Sequence, residues 1–520
     1  MGEGDNGKTY DAIVIGSGIG GLACACALTR MGRRVLVLER HFAAGGLTQT
    51  FSRNGYTWDV GIHYLGEMGP NDFGRRVLDW LSGGQIQFAS VGPVYDTMHF
   101  PDGFEFQYAR PAQALQAELK DRFPASTGDI DAYFKSIAAA ASCGRAIFSG
   151  RALPPLLAKI VRVWNGRAIE RWWGRTTEQV LLELVRDAQL RAVLAGQRPD
   201  YGPDPRVASF GIHATVTRHY FDGAYYPIGG GRAFADALIP VIEAGGGRVR
   251  TRAEVTQLLV ENGAIAGVRL KDGSELRAAI VFSDAGAQNT VLRLLPVALR
   301  EASWVKQIGS FQPSACHVQL YLGLEGNIRA AGATPSNHWF HESWDLGDAL
   351  WRNPDRDPVP PVLFVSFPSL KATNASAEAP RKHTAEIVAF TDWNAFAQWE
   401  NSKIGRRPPE YGELKRLIGE RLFAQFARHF PALAPLVVER EVSTPLSTVA
   451  FTGSVQGGVY GLEPSPRRFL SNSLRARTPL PGLYLTGQDV ASAGVTGAMM
   501  GGVIAAAAVE PRVLRQVPLR

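Results

Sequence analysis

The chain has 520 residues, 45% of them apolar and 20% charged, with a net charge of +7. This is ordinary for a globular protein of roughly two to three domains. No apolar run approaches the ~20 residues of a membrane-crossing helix, and so modest a charge gives no ground to expect a nucleic-acid partner.

In chain order, the opening MGEGDNGKTYD is polar and lacks the basic-then-apolar order of an export signal, so a cytoplasmic protein is expected. Asp11 to Ile15 then reads as a short buried strand, and Ile19 to Met31 as a helix that Gly32 breaks. Arg34 to Leu38 reads as a second strand ending on Glu39. Between the first strand and the helix, Gly16, Gly18 and Gly21 spell G-x-G-x-x-G. This is the spacing that turns tightly, admits a pyrophosphate and packs a helix on a strand. The helix N-terminus offers free N–H groups to phosphate, and Glu39 offers a carboxylate to a ribose diol.

Residues 108 to 210 read as mostly helical. Within them, 151 to 175 are rich in Lys, Arg and Trp. Leu153, Leu156, Leu157, Ile160, Val161 and Trp164 fall at helical spacing. This describes an amphipathic helix suited to an anionic membrane surface, with Trp172 and Trp173 at the interface. Residues 225 to 250 read as a loop, a helix and a turn into a strand. Strands follow at Glu254 to Val260, Ala264 to Leu270 and Ile280 to Phe282. Residues 300 to 475 read as mixed, and a last strand, Gly482 to Thr486, runs through a glycine-rich turn into a helix from about Thr496.

Three features favour FAD over NAD: the bare Gly45-Gly46 past Glu39, the strand opening at Glu254-Val255, and Asp489 ahead of a second glycine-rich helix start. An acid there can hold a ribityl hydroxyl, and a helix dipole can favour negative charge on a reduced ring. The four cysteines include no C-x-x-C pair and read as small apolar core residues. His338 and His341 have no evident third ligand, so no metal is expected.

VIGSGIGGLACACALTRMGRRVLVLERH, GGLTQTFSRNGYTWDVGIHYLGEM, YYPIGGGRAFADALIPVIEAGGGRV and GLYLTGQDVASAGVTGAMMGG together resemble the phytoene desaturase and carotenoid isomerase family of flavoproteins, in particular its retinol saturase branch. The resemblance implies an α/β architecture. A Rossmann-type FAD-binding domain would be assembled from residues 1–100, 216–300 and 476–520. A helical part (101–215) and a mixed α+β substrate domain (301–475) would complete it. FAD would be held by Gly16, Gly18, Gly20, Gly21, Glu39, Arg40, Gly45, Gly46, Leu47, Val255, Asp284, Gly487 and Asp489. Gly494, Val495, Thr496, Gly497 and Ala498 would lie beside the ring.

The implied chemistry is desaturation, saturation or isomerisation of double bonds in a long lipophilic chain, such as a carotenoid, retinoid, polyprenoid or fatty acyl chain. The electron partner is left open. His63 and Tyr64, after the glycine-rich flavin segment, and Tyr460, in GGVYGLE, are the candidate catalytic groups, with His63 first as the proton handler. Tyr225 and Tyr226 read as packing residues, and His213 and His219 as lying in a solvated loop. A flavin amine oxidase and a non-catalytic lipid carrier of the same fold are the alternatives.

Overall fold

The structure is a computed structural model that describes residues 9–345, 347, 349–371 and 382–518; the polar opening stretch 1–8 lies outside them. Two sheets organise the described residues. The first has five parallel strands in the order Leu483–Leu485, Val281–Ser283, Ala12–Ile15, Val35–Leu38, Arg248–Arg250. The three inner sequences, AIVI, VLVL and VFS, and the edge sequence LYL are buried along their whole length, as apolar strands covered on both faces must be. Neighbours in this sheet come from opposite ends of the chain: Ile13 pairs with Val281, which in turn pairs with Leu483. The helix Ile19–Arg30 follows the first strand, and the helix Gly494–Val509 follows the last. Both are rich in Gly and Ala, which lets them pack closely.

The second sheet has seven strands in the order Val437–Ser443, Cys316–Glu325, Lys382–Thr391, Val362–Ser366, Asn337–His341, Val94–His99, Glu105–Ala109. Its pairs are antiparallel except where Asn337–His341 lies parallel to Val94–His99. The hairpin of the last two strands straddles the boundary expected at residue 100. It belongs with the strands of 301–475, because its inward residues Tyr95, Phe106 and Tyr108 share a core with Trp339 and Phe364. A three-stranded antiparallel meander, Val255–Glu261, Ala264–Leu270 and Glu275–Arg277, completes the middle segment.

Long helices cover the second core, among them Thr127–Ala152, Pro155–Trp173 and Phe210–His219. One expectation is corrected here. Trp172 and Trp173 do not face an interface; both are buried. Trp173 donates its indole N–H to the Ala140 carbonyl at 3.0 Å, and its ring fills the space that a Cβ on Gly211 would take. Because the helix ends here, its last turn faces the core. Its first turns leave Leu156, Leu157, Ile160, Val163 and Trp164 exposed, Trp164 by 86%. Among the described residues no helix is long and apolar enough to cross a membrane. Cys24, Cys26 and Cys316 are buried and Cys143 half-buried, all as free thiols, and no cluster of metal-ligating side chains occurs among the described residues.

Candidate active site

A cavity of about 550 Å³ is walled by residues of both sheets. Its first wall is the glycine-rich turn. Gly16 adopts φ +93°, a conformation that side chains disfavour, and this turns the chain from strand into helix. A Cβ on Gly21 would stand 2.2 Å from the Gly16 carbonyl oxygen, so the helix packs this closely only without one. The helix begins at Gly18 with no capping side chain and no acid in its first turn. Its first N–H groups, apart from that of Gly21, which donates to Asp284, and its partial positive charge therefore remain available to an anion.

Glu39 closes this wall. Its Oε2 accepts from the Ser17 N–H at 2.9 Å and the Ser17 hydroxyl at 2.7 Å, and its Oε1 accepts from the His41 N–H at 2.7 Å. Ser17 in turn accepts from the Gly45 N–H at its carbonyl, 3.1 Å away. The carboxylate thus fixes the turn, the end of the second strand and the Gly45-Gly46 segment relative to one another. Gly20, Arg40, Leu47 and Val255 also line the cavity.

Asp284 lies beneath the turn. Burial raises its carboxyl, with Asp489 and Glu39 adding to the rise against a hydrogen bond from the Gly21 N–H, and the result is a pKa of about 8. Asp489 is a tie between remote segments: Oδ2 accepts from the Ala287 N–H at 2.8 Å and Oδ1 from the Leu462 N–H at 2.9 Å. A ribityl hydroxyl would have to share these oxygens. Gly494, Val495 and Ala498 line the cavity at the start of the helix Gly494–Val509, which also has no capping side chain.

Four expected cofactor residues do not line the cavity. Gly21 and Gly487 pack against neighbouring backbone, and a Cβ on Gly497 would stand 2.3 Å from the Ser492 carbonyl oxygen. Thr496 is not part of the lining, and its hydroxyl is buried without a partner among the described residues. Two helix starts without a capping N-cap side chain, a fixed carboxylate and bare backbone around one cavity suit a dinucleotide.

The third wall is apolar and aromatic: Trp339, Phe364, Val388, Phe390 and Tyr460. Tyr460 stacks on Phe390 with centroids 6.1 Å apart. Three polar side chains, His63, His317 and Asp200, join this wall. His63 Nδ1 lies 2.9 Å from Glu386 Oε2. Burial, helped by Lys371, holds the His63 imidazole down to about 3, so it is neutral at physiological pH. Burial likewise pushes Glu386 up to about 8, and Asp59 up to about 7 with help from Glu386. Lys371 is pulled down to about 7 by the same desolvation. It donates to the His63 carbonyl at 2.8 Å, to Ser366 Oγ at 2.8 Å and to Asn337 Oδ1.

Tyr64 does not line the cavity. Its hydroxyl is buried between two carboxylates, 3.0 Å from Asp96 Oδ2 and 2.6 Å from Asp200 Oδ2. His213 is also not in a solvated loop. It is held in the helix Phe210–His219, with Tyr133 and Tyr201 hydroxyls on its two ring nitrogens at 2.9 and 2.8 Å. His219 ends that helix and accepts the Gly66 N–H at 2.9 Å.

Sequence reasoning overlooked Asp200, Glu386, Asp59 and Lys371. A signal existed for one of them: Glu386 is a lone acid inside the apolar strand KHTAEIVAFT, where a charge must have a buried partner.

A family model described as an NAD(P)-binding Rossmann-like domain matches residues 14–81. The chain is 34% identical to all-trans-retinol 13,14-reductase of Rattus norvegicus, over 97% of this chain and 86% of the relative. It is 27% identical to the chloroplastic prolycopene isomerase of Arabidopsis thaliana, over 93% and 80%. Cyclohexylamine oxidase from Brevibacterium oxydans shares the fold, with a TM-score of 0.60, 15% identity and 98% and 99% of the two chains covered.

Proposed function

The chain belongs to the family of all-trans-retinol 13,14-reductases and prolycopene isomerases, and from that premise we propose an FAD-dependent enzyme that saturates, desaturates or isomerises carbon–carbon double bonds of a long lipophilic molecule. One observation carries this reading: the glycine-rich cradle and the wall of Trp339, Phe364, Val388, Phe390 and Tyr460 share one cavity. A dinucleotide and an apolar chain would meet there.

Bound FAD would supply reversible hydride exchange at N5. The protein does the rest. The free N–H groups at Gly18 and at the start of the helix Gly494–Val509 hold negative charge. Glu39, already fixed by Ser17 and His41, accepts from ribose hydroxyls and repels a 2′-phosphate. The aromatic wall excludes water and sets which carbon lies within reach, since a near-attack separation is about 3 to 3.5 Å. His63, held neutral, joins the wall as an uncharged group, since the burial that depresses its pKa also weakens it as a base.

The amine-oxidase reading rests only on a distant likeness of fold, and the aromatic pair Tyr460 and Phe390 is stacked rather than spread as two walls of a cage.

The substrate is met at a membrane surface. Each buried CH₂ is worth ~0.8 kcal/mol, so a long polyene scarcely leaves a bilayer for water. What supports this is the helix Pro155–Trp173, with Leu156, Leu157, Ile160, Val163 and Trp164 exposed beside Lys159, Arg167 and Arg171. Apolar residues flanked by cations complement an anionic lipid surface.

The test is direct. The purified protein is extracted, its flavin is identified by mass spectrometry, and the reduced holoenzyme is mixed with all-trans-retinol and with prolycopene. FAD in the extract, with saturation or isomerisation of either polyene, is the expected result. A colourless protein that binds polyene without changing it would favour the lipid-carrier alternative.

A further inference from the structure

Reduction of a double bond needs a proton as well as a hydride, and the neutral His63 is a poor source. A second polar group on the cavity wall, Asp200, belongs to a buried arrangement whose protons can be counted. Tyr64 has one hydroxyl proton and two carboxylates in contact, Asp96 Oδ2 at 3.0 Å and Asp200 Oδ2 at 2.6 Å. If both carboxylates were ionised, one of those contacts would be oxygen against oxygen with no proton between.

Asp96 is the better anion. Its Oδ1 accepts from Asn337 Nδ2 and Trp339 Nε1, both at 3.1 Å, and its Oδ2 from Gln197 Nε2 at 2.6 Å. Asn337 is fixed in that orientation because Lys371 donates to its carbonyl oxygen. The remaining proton therefore rests on Asp200, the member of the pair that lines the cavity. The Tyr201, Tyr220 and Tyr460 phenols also feel Asp200, and none of them brings a positive charge to it. Burial and the adjacent Asp96 raise the Asp200 carboxyl to about 8, against a smaller opposing effect of the Tyr64 hydroxyl.

We infer that Asp200 is the acid of the site: its O–H bond breaks as a C–H bond forms at one carbon of the substrate double bond, and Tyr64 then turns its hydroxyl from Asp96 to the new Asp200 carboxylate. The hydride and its electron pair reach the other carbon from the reduced flavin, so two hydrogens are added and the flavin is oxidised by two electrons. Asp96 keeps its three N–H donors throughout, which lets it release the Tyr64 proton without being left bare. Tyr64 and Asp96 are positioning residues. The inference rests on the reading of function given above.

Two measurements on the holoenzyme test it. In infrared difference spectra between about pH 6 and about pH 10, one protonated-carboxyl contribution should titrate above neutrality and be missing in D200N, while those of Asp59, Asp284 and Glu386 remain. It should titrate at lower pH in D96N, where the neighbouring charge is gone. In Y64F it should titrate at higher pH, where the carboxylate loses its donor. Spectra of wild type and D200N that coincide would overturn the inference, because Asp200 would then be ionised throughout.

In the second measurement, reduced enzyme is mixed with all-trans-retinol in deuterium oxide. D200N should bind retinol as wild type does but take up solvent deuterium into product on the order of 100-fold more slowly, with partial recovery in D200E. Equal uptake in D200N would also overturn it. Failure of wild type to turn over retinol counts against the proposed function, while the infrared result still decides the state of Asp200.

Discussion

Gly20 and Gly502 meet backbone to backbone across the contact between the opening and closing helices: a Cβ on Gly502 would stand 2.3 Å from the Gly20 carbonyl oxygen. The same Cβ would lie 2.8 Å from the Cys24 backbone nitrogen, so no flexible side chain can yield to it. Gly502→Ala should therefore push the helices apart at a cost of about 1–3 kcal/mol. Urea unfolding reads this as a lowered midpoint with retained slope, and an unchanged midpoint would show that the helices separate freely.

Glu39 has two duties that one substitution removes together. Glu39→Ala leaves the Ser17 and His41 N–H groups without their acceptor and takes away the ribose contact proposed above. Loss of charge-assisted bonds of this kind costs about 1.5–3 kcal/mol, so flavin affinity should fall at least tenfold. Equilibrium dialysis against free FAD measures it; retention of wild-type affinity would place the ribose elsewhere.

The buried Glu386 makes stability depend on pH. Its folded pKa, about 8, lies above the ordinary 4.5. The folded state therefore keeps a proton that the unfolded state has released. That contribution is full below about pH 4.5 and is lost as pH rises through about 8. Glu386→Gln cannot ionise, so its stability relative to wild type should increase from about pH 5 to about pH 9, by a few kcal/mol at most. Parallel urea titrations at the two pH values check the sign. A difference that is constant or reversed would mean that Glu386 is ionised in the fold, paired with Lys371.

Trp164 is the most exposed large apolar residue of the helix Pro155–Trp173, and Trp172 and Trp173 are core residues. Trp164→Ala should weaken flotation with vesicles of phosphatidylcholine and phosphatidylserine by about tenfold, with unfolding unchanged. Trp173→Ala should instead lower the unfolding midpoint by ~3–5 kcal/mol worth of stability. Flotation indifferent to Trp164→Ala would remove this helix from the membrane.

What could be read in the sequence was local or carried by family motifs. Strand, turn, helix and acid from Ala12 to Glu39 lie within one short stretch, and their periodicity and glycine spacing stand in sequence order. The polar cluster was hidden because its members are remote from one another: Asp59, Asp96, Asp200, Lys371 and Glu386 come together only when the seven-stranded sheet closes. Each but Glu386, taken alone, resembles a surface charge. The misplaced Trp172 and Trp173 show a different limit, since helical spacing gives a helix two faces but does not say where along its length the core begins.

The pairing of Val281 with Ile13 on one side and Leu483 on the other has a consequence for biosynthesis. Leu483–Leu485 leaves the ribosome long after Ala12–Ile15 and Val281–Ser283, and the helix that follows it supplies part of the cavity wall. Until both emerge, the nascent chain exposes one edge of a hydrophobic parallel sheet, the kind of surface that chaperones cover. A stop codon or frameshift anywhere upstream of Gly494 should yield aggregate rather than a partly active fragment.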